Sequence, residues 1–179
     1  MITDTLITPT QLRTYRPHAV IDDDRITPFI IESQQNDLRP ALNDALYYDL
    51  MNNFTDDEHA MYDAYQDLIN GKEYTYNAQT VYFSGIKPML AYFTLARFIV
   101  SNQVNITRFG VTQKLNPQSE PTSFQMIQAE ANQMKSTAVN YQNELIRFLE
   151  TNSTDYPLYN TGGASSNISS RTSFKIFKL

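Results

Sequence analysis

Apolar residues recur at alternating steps of three and four along one long stretch of the chain, residues 124–148. This spacing places them on a single stripe of an α-helix. Flanking positions lack the opposed charges of a self-pairing coiled coil, so we expect the stripe to pack within its own chain. The stripe consists of Phe124, Ile127, Ala131, Met134, Ala138, Tyr141, Leu145 and Phe148.

A second stretch, residues 85–103, is apolar on nearly every side when wound as a helix, which is typical of a helix at the centre of a core. Residues 83–100 have the length of a short membrane span, but they include Lys87 and Arg97, and an arginine near the middle of a lipid-facing span costs about 3 kcal/mol. We therefore expect a helix buried among other helices, packed on the stripe of residues 124–148. Arg97 should either extend to the surface or pair with an acidic side chain of a neighbouring helix.

Shorter helices are predicted in the first half of the chain. Thr8 can cap a helix that has Pro9 in its first turn and ends before Pro17. The acids of residues 22–24 precede an apolar run and suit the start of a second helix. Pro40 interrupts this region, so a further helix should begin near residue 39.

Residues 55–71 are predicted to form one helix, in which Thr55 and Glu58 make a capping box and Gly71 provides the end. Residues 72–81, "KEYTYNAQTV", are predicted to be a polar, aromatic loop. Residues 104–114 have the alternating pattern of a β-strand, through Val104, Ile106, Phe109 and Val111. A lone strand leaves its backbone hydrogen bonds unmade, so this strand requires a partner.

The composition changes after residue 159. The stretch "NTGGASSNISSRTS" is a flexible linker by composition, and it leads into "SFKIFKL" with Phe174, Ile176, Phe177 and Leu179. A plain disordered tail does not need four large apolar residues at its tip. We predict a helical domain over residues 1–159 and a docking tail over residues 160–179.

The fold class predicted from these patterns is mainly α: a helical bundle with a small β-strand or hairpin element and an extended C-terminal tail. The chain has 179 residues, 41% hydrophobic and 18% charged, which is typical of a folded domain. Its net charge of −5 argues against a surface that binds nucleic acid through phosphates. There is no cysteine, so disulfides and thiolate metal sites are excluded.

The sequence carries no recognisable catalytic motif. His18 and His59 lie in separate elements, and no metalloprotease, nucleophile-elbow or phosphate-loop pattern occurs. The acidic groups at residues 22–24 and 56–58 are interpreted as helix starts rather than metal sites. We expect no catalytic, cofactor-binding or metal-binding residue. The N-terminus lacks the pattern of a secretory signal, so we expect a protein that is assembled inside a cell.

Several stretches resemble one family, the head-to-tail connector (neck ring or adaptor) proteins of crAss-like and related Bacteroidales bacteriophages. The likeness covers most of residues 6–159, and residues 82–121 are the most specific part because helix, strand and turn recur there in that order. The family pattern has glycine where this chain has Asn43. The stretches are "LITPTQLRTYRP" (6–17), "FIIESQQNDLRPALNDALYYDLM" (29–51), "YFSGIKPMLAYFTLARFIVSNQVNITRFGVTQK" (82–114), "SEP" (119–121) and "NELIRFLETNSTDYPLY" (143–159).

The resemblance implies a structural virion protein in the neck, assembled in the host cytoplasm and without contact to a membrane. It would form a closed ring beneath the portal, with twelve copies expected, through which DNA passes without sequence-specific binding. Its partners would be other copies of itself, the portal protein and an adjacent neck or tail protein. The strand would be completed by its own hairpin return and by neighbouring copies.

A closed ring needs two unlike surfaces on each copy. The predicted interface residues are Val104, Ile106, Phe109, Val111, Phe174, Ile176, Phe177 and Leu179. Two other functions remain open: another neck or tail component, such as a stopper or tail-completion protein, and a small hydrolase with a carboxylate site. Direct contact with the portal would distinguish the first, and two acids with perturbed titration in one pocket would indicate the second.

Overall fold

The computed structural model describes residues 4–16, 23–101, 104–107, 110–113 and 124–160. It is mainly helical with small antiparallel β elements, as predicted; the remainder of the predicted tail, residues 161–179, lies outside the described residues. The elements in chain order are α1 (Pro9–Tyr15), α2 (Asp23–Ser33), a π-helical segment (Gln34–Leu38), α3 (Arg39–Leu42), α4 (Asp44–Asn53), α5 (Tyr62–Asn70), β1 (Lys72–Tyr76), β2 (Gln79–Phe83), α6 (Ile86–Ser101), β3 (Val104–Thr107), β4 (Gly110–Gln113), α7 (Phe124–Thr151) and α8 (Pro157–Asn160).

The centre of the fold is the antiparallel pair of α6 and α7. The rings of Tyr92 and Tyr141 stack with centroids 6.0 Å apart, and Ser84, just before α6, donates its backbone N–H to Glu144 at 2.8 Å. Helix α6 is buried along most of its length, which confirms the prediction of a central helix. The stripe of α7 is buried from Ile127 to Phe148 except at the half-buried Tyr141, and Phe124 at its start is 55% exposed.

The first two helices form where the sequence predicts them. Thr8 accepts the N–H of Gln11, and the Gln11 side chain accepts the N–H of Thr8, which completes a capping box. Helix α2 lies antiparallel along α6, with the rings of Phe29 and Phe98 edge to face at 5.6 Å. Among the described helices, none combines the length and the apolar character that crossing a membrane requires.

A helix begins at Arg39, as Pro40 predicts, but this helix ends after one turn at Leu42. A π-helical segment leads into α3, and Asn43 then separates α3 from α4. Asn43 has φ 68° and ψ 167°, a backbone conformation that favours glycine. This observation explains why asparagine, which tolerates positive φ better than most residues, occupies the position.

The predicted helix of residues 55–71 begins seven residues late, and its capping box at Thr55 and Glu58 is wrong. The helix starts at Tyr62. Asp56 instead accepts the N–H of Glu58 at 3.1 Å in a local turn, and successive backbone turns continue to residue 62. Short polar side chains that bond to nearby backbone compete with helix formation. Gly71 ends the helix as predicted, with φ 96°.

The prediction of a loop at residues 72–81 is also wrong. Strands β1 and β2 form an antiparallel hairpin that runs from the pair Lys72–Phe83 to the pair Tyr76–Gln79. Asn77 and Ala78 connect them with φ 50° and 62°, the backbone of a two-residue type I′ turn. Tyr74 and Phe83 face inward onto Phe148 of α7, with ring centroids 5.1 Å and 4.2 Å from it.

Candidate functional site

The strand predicted at residues 104–114 is a hairpin of two short strands. Strand β3 pairs with β4 in antiparallel register, with Ile106 opposite Val111 and Val104 opposite Gln113. The prediction of one continuous strand over residues 104–114 is therefore wrong, whereas the hairpin return that the family resemblance implied is present within these residues. The step of three between Ile106 and Phe109 breaks the alternation and was the signal for this turn.

The predicted interface residues fall into two groups: three lie in the described hairpin, and five lie outside the described residues. Val104, Ile106 and Val111 are brought together, because positions 104, 106 and 111 fall on one face of the hairpin by its register. The principal backbone contacts of β3 and β4 are with each other. Phe109 lies outside the described residues, as do the four tail residues Phe174, Ile176, Phe177 and Leu179.

The root of the tail is fixed by hydrogen bonds from side chains. The Asn43 amide donates to the carbonyl oxygens of Leu158 at 3.1 Å and Tyr159 at 2.6 Å. The same side chain accepts the N–H of Leu46 at 3.1 Å and so caps α4. Tyr156, which is buried, donates to the carbonyl of Ala64 in α5 at 2.8 Å. The chain therefore leaves the bundle from a defined point beside α4 and α5.

A cleft of about 360 Å³ opens between the start of α6, α5 and the turns that precede α5. Its apolar lining comes from Leu6, Phe54, Tyr62 and Ile69. The polar lining groups bond to one another: Lys87 donates to Asn70 at 2.6 Å, and Gln66 donates to the carbonyl of Phe54 at 2.9 Å. We call this feature the α5 cleft.

Exposed acidic residues adjoin two lining residues of the α5 cleft in the chain. Thr55 is part of the lining, and the exposed Asp56, Asp57 and Glu58 follow it directly in the chain. Asp63, also exposed, follows the lining residue Tyr62. Besides these four carboxylates there is one positive charge in the lining, on Lys87. The cleft thus has an apolar floor, and we call the four exposed carboxylates that follow its lining residues in the chain the acidic rim.

A cluster of tyrosines forms another surface feature. Tyr82 on β2 is 60% exposed, and Tyr92 stacks on Tyr141. Burial raises the pKa of Tyr15, and the charges of the phenols of Tyr141 and Tyr82 add to this shift. Exposed aromatic side chains are enriched at protein interfaces. We call these four residues the tyrosine cluster.

Arg97 pairs with an acidic side chain of a neighbouring segment, which is one of the two arrangements expected from the sequence. Its guanidinium lies 2.5 Å and 3.0 Å from the two carboxylate oxygens of Asp37, and it also reaches the hydroxyl of Ser33. Thr94 donates to the same hydroxyl at 3.2 Å. These contacts join α6 to α2 and the π-helical segment, so the arginine has a structural role.

Burial is the largest cause of the raised pKa values of the tyrosines in the described part of the chain. Burial and a hydrogen bond to Asp49 raise the pKa of Tyr65, and burial raises the pKa of Tyr156. The Arg39 guanidinium lowers the pKa of Asp44, and that pair is exposed. Within the described ranges no group of three or more His, Cys, Asp or Glu side chains is placed to hold a metal ion.

The sequence alone did not indicate the α5 cleft or the tyrosine cluster. Both features join residues that are far apart in the chain, such as Leu6 with Lys87 and Tyr15 with Tyr141. A local pattern could have indicated the strand that holds Tyr82. The segments "YTY" and "VYF" lie on either side of Asn77, a spacing that is typical of a β-hairpin.

Within the residues that the structure describes, the fold is a small helical bundle with two antiparallel pairs of strands. Residues 38–167 match DUF6712, described as a family of unknown function, and the chain belongs to this family. Comparison with curated proteins and with solved structures gives no significant match.

Proposed function

We propose that this chain is a structural virion protein that forms a ring beneath the phage portal, connects capsid to tail and lets DNA pass. The observation that carries the proposal is the resemblance of residues 82–121 to the neck-ring proteins named above. The helix–hairpin order of α6, β3 and β4 suits that resemblance. The protein acts through assembly and not as an enzyme.

Ring closure requires unlike surfaces on one copy, and the chain offers several. The hairpin β3–β4 places Val104, Ile106 and Val111 on one face, the tyrosine cluster presents the exposed ring of Tyr82, and the tail carries an apolar tip. A net charge of −5 suits a conduit, because a wall poor in cations does not hold DNA by its phosphates.

The test is the mass of the full-length protein in solution, alone and mixed with its portal protein. A closed ring of twelve copies has about twelve times the 20.6 kDa mass of the chain, and mixing with the portal should give one larger complex. A protein that stays monomeric in both conditions refutes the proposal. A ring that binds a neck protein but never the portal supports the alternative of a stopper or tail-completion protein.

Substitutions in the hairpin make this test specific. Ile106→Asp with Val111→Asp places two like charges at opposed positions of one hairpin face and should abolish the ring. The matched control is Asn105→Asp with Thr112→Asp, which places the same charges at the adjacent opposed pair, on the other face. Both variants should keep the helical content of the monomer. Equal loss of the ring in both variants would contradict a role for this particular face.

A further inference from the structure

The α5 cleft and the C-terminal tip of the chain have complementary chemistry. The cleft has an apolar floor that includes Phe54 and Tyr62 and a rim of four carboxylates. The tip, "FKIFKL" at residues 174–179, alternates large apolar residues with Lys175 and Lys178. Apolar side chains in the cleft would be removed from water, and the two lysines would meet the acidic rim.

The chain is long enough for the tip to reach a cleft on another copy. It leaves the bundle at Asn160, beside α4 and α5. From Asn160 to Phe174 it can extend to at most about 50 Å, which exceeds the diameter of a small domain. The stretch contains two glycines and several serines, a composition that favours reach over rigidity.

We propose that the α5 cleft of one copy binds residues 174–179 of a neighbouring copy. This inference rests on the proposed ring, and it gives that ring a heterologous link from each tail to the next bundle. The cleft is preformed, because its polar lining groups already bond to one another. The ordering cost of binding therefore falls mainly on the tail, and several buried apolar side chains offset it.

The experiment uses disulfide formation in the full-length protein. The chain has no cysteine, so each introduced pair defines one contact. One chain carries Thr55→Cys at the cleft, and a second chain with a different tag carries Ser173→Cys beside the tip. The two are mixed under conditions in which the ring mass is confirmed. We expect a disulfide between the two differently tagged chains.

The control replaces Thr55→Cys with Ala129→Cys, an exposed position on α7. It lies at the far end of the bundle, because α7 runs antiparallel to α6 and the cleft lies at the start of α6. A disulfide yield at Thr55→Cys no higher than at Ala129→Cys, in rings of full mass, overturns the inference and leaves the proposed function intact. A chain with both cysteines that closes its disulfide only within itself also overturns it. Absence of any ring refutes the proposed function instead.

Charge reversal provides a second measurement. Asp57→Lys at the rim should lower the yield of the Thr55–Ser173 pair by about threefold to fivefold, as expected for an exposed ion pair. Combining Asp57→Lys with Lys175→Glu should restore it. Asp24→Lys, an exposed acid at the start of α2, is the matched control because α2 begins beyond the end of α6 that is opposite the cleft. Equal losses for Asp57→Lys and Asp24→Lys contradict recognition of the tip by the rim.

Discussion

Asn43 combines a glycine-like backbone with a side chain that makes three hydrogen bonds. Its φ of 68° is unfavourable for a residue with a Cβ. Its side chain caps α4 through Leu46 and holds the carbonyls of Leu158 and Tyr159. The residue is 6% exposed, so these carbonyls have little access to water as a replacement partner.

Substitution of Asn43 should separate these two contributions. Asn43→Ala keeps the strained backbone and loses all three bonds, and we expect it to lower the free energy of unfolding by about 2–4 kcal/mol. Asn43→Gly relieves the strain and should lose only about 1–2 kcal/mol. Denaturant unfolding measures both. If Asn43→Ala and Asn43→Gly lower the free energy of unfolding equally, the backbone conformation at this position does not contribute to the loss.

Tyr156 should make stability depend on alkaline pH. Its folded-state pKa is raised above the ordinary value of 10.0 by burial. A raised pKa contributes stability that is complete below pH 10 and is lost as the pH rises above it, at most about 1.4 kcal/mol per pH unit. Tyr156→Phe should cost about 1 kcal/mol at neutral pH through the lost bond to Ala64. Above pH 10 its stability should fall less steeply than that of the unsubstituted protein.

The measurement is denaturant unfolding at several pH values between 9 and 12. Tyr82→Phe is the matched control, since this side chain is 60% exposed, and it should follow the unsubstituted protein. An alkaline slope that is identical for Tyr156→Phe and Tyr82→Phe would contradict the assignment.

At the scale of elements, the turn of the hairpin β1–β2 is suboptimal for its backbone. Ala78 has φ 62°, where glycine is preferred in a type I′ turn. Ala78→Gly should raise the free energy of unfolding by about 0.5–1 kcal/mol, because relief of strain exceeds the entropy cost of glycine. Ala129→Gly, on the exposed face of α7, should lower it by about 1 kcal/mol. A loss at both positions would show that the turn is not strained.

Helix α6 should tolerate truncation of its large side chains poorly. Phe93 is 8% exposed and belongs to the main core, so Phe93→Ala should cost about 3–5 kcal/mol. Val139→Ala on α7, where the side chain is 42% exposed, should stay within about 0.5 kcal/mol of the unsubstituted protein. Thermal and denaturant unfolding check both variants. A loss below about 1 kcal/mol for Phe93→Ala would remove this residue from the core.

At the scale of the whole molecule, the bundle and the tail should be separable. Truncation after Asn160 leaves every described core contact in place, so the monomer should keep its helical content and melting temperature. Ring formation should fail, because the proposed link between copies is lost. Circular dichroism measures the first outcome and the solution mass the second. Unfolding on truncation would place the tail in the core of its own copy, and normal rings would refute its docking role.

The sequence determined the features that depend on local spacing. The α7 stripe, the apolar α6, the N-cap at Thr8 and the helix end at Gly71 could all be predicted, because helix periodicity and capping act within a few residues. Residues 104–114 were predicted as one strand from their alternation, and the hairpin return came from the family resemblance. The predicted capping box at residues 55–58 was wrong because Asp56 bonds to nearby backbone in a turn. The predicted loop at residues 72–81 was wrong because a two-residue turn at Asn77 and Ala78 lets the flanking segments pair.

Only the tertiary structure decided where distant residues meet. Asn43 donates to the carbonyls of residues 158 and 159. Arg97 pairs with Asp37. Leu6 and Lys87 both line the α5 cleft. No periodicity encodes such contacts, because they depend on how helices cross and which faces remain uncovered. The candidate docking surface is therefore a product of packing, while the tip that we propose binds it is readable in the sequence.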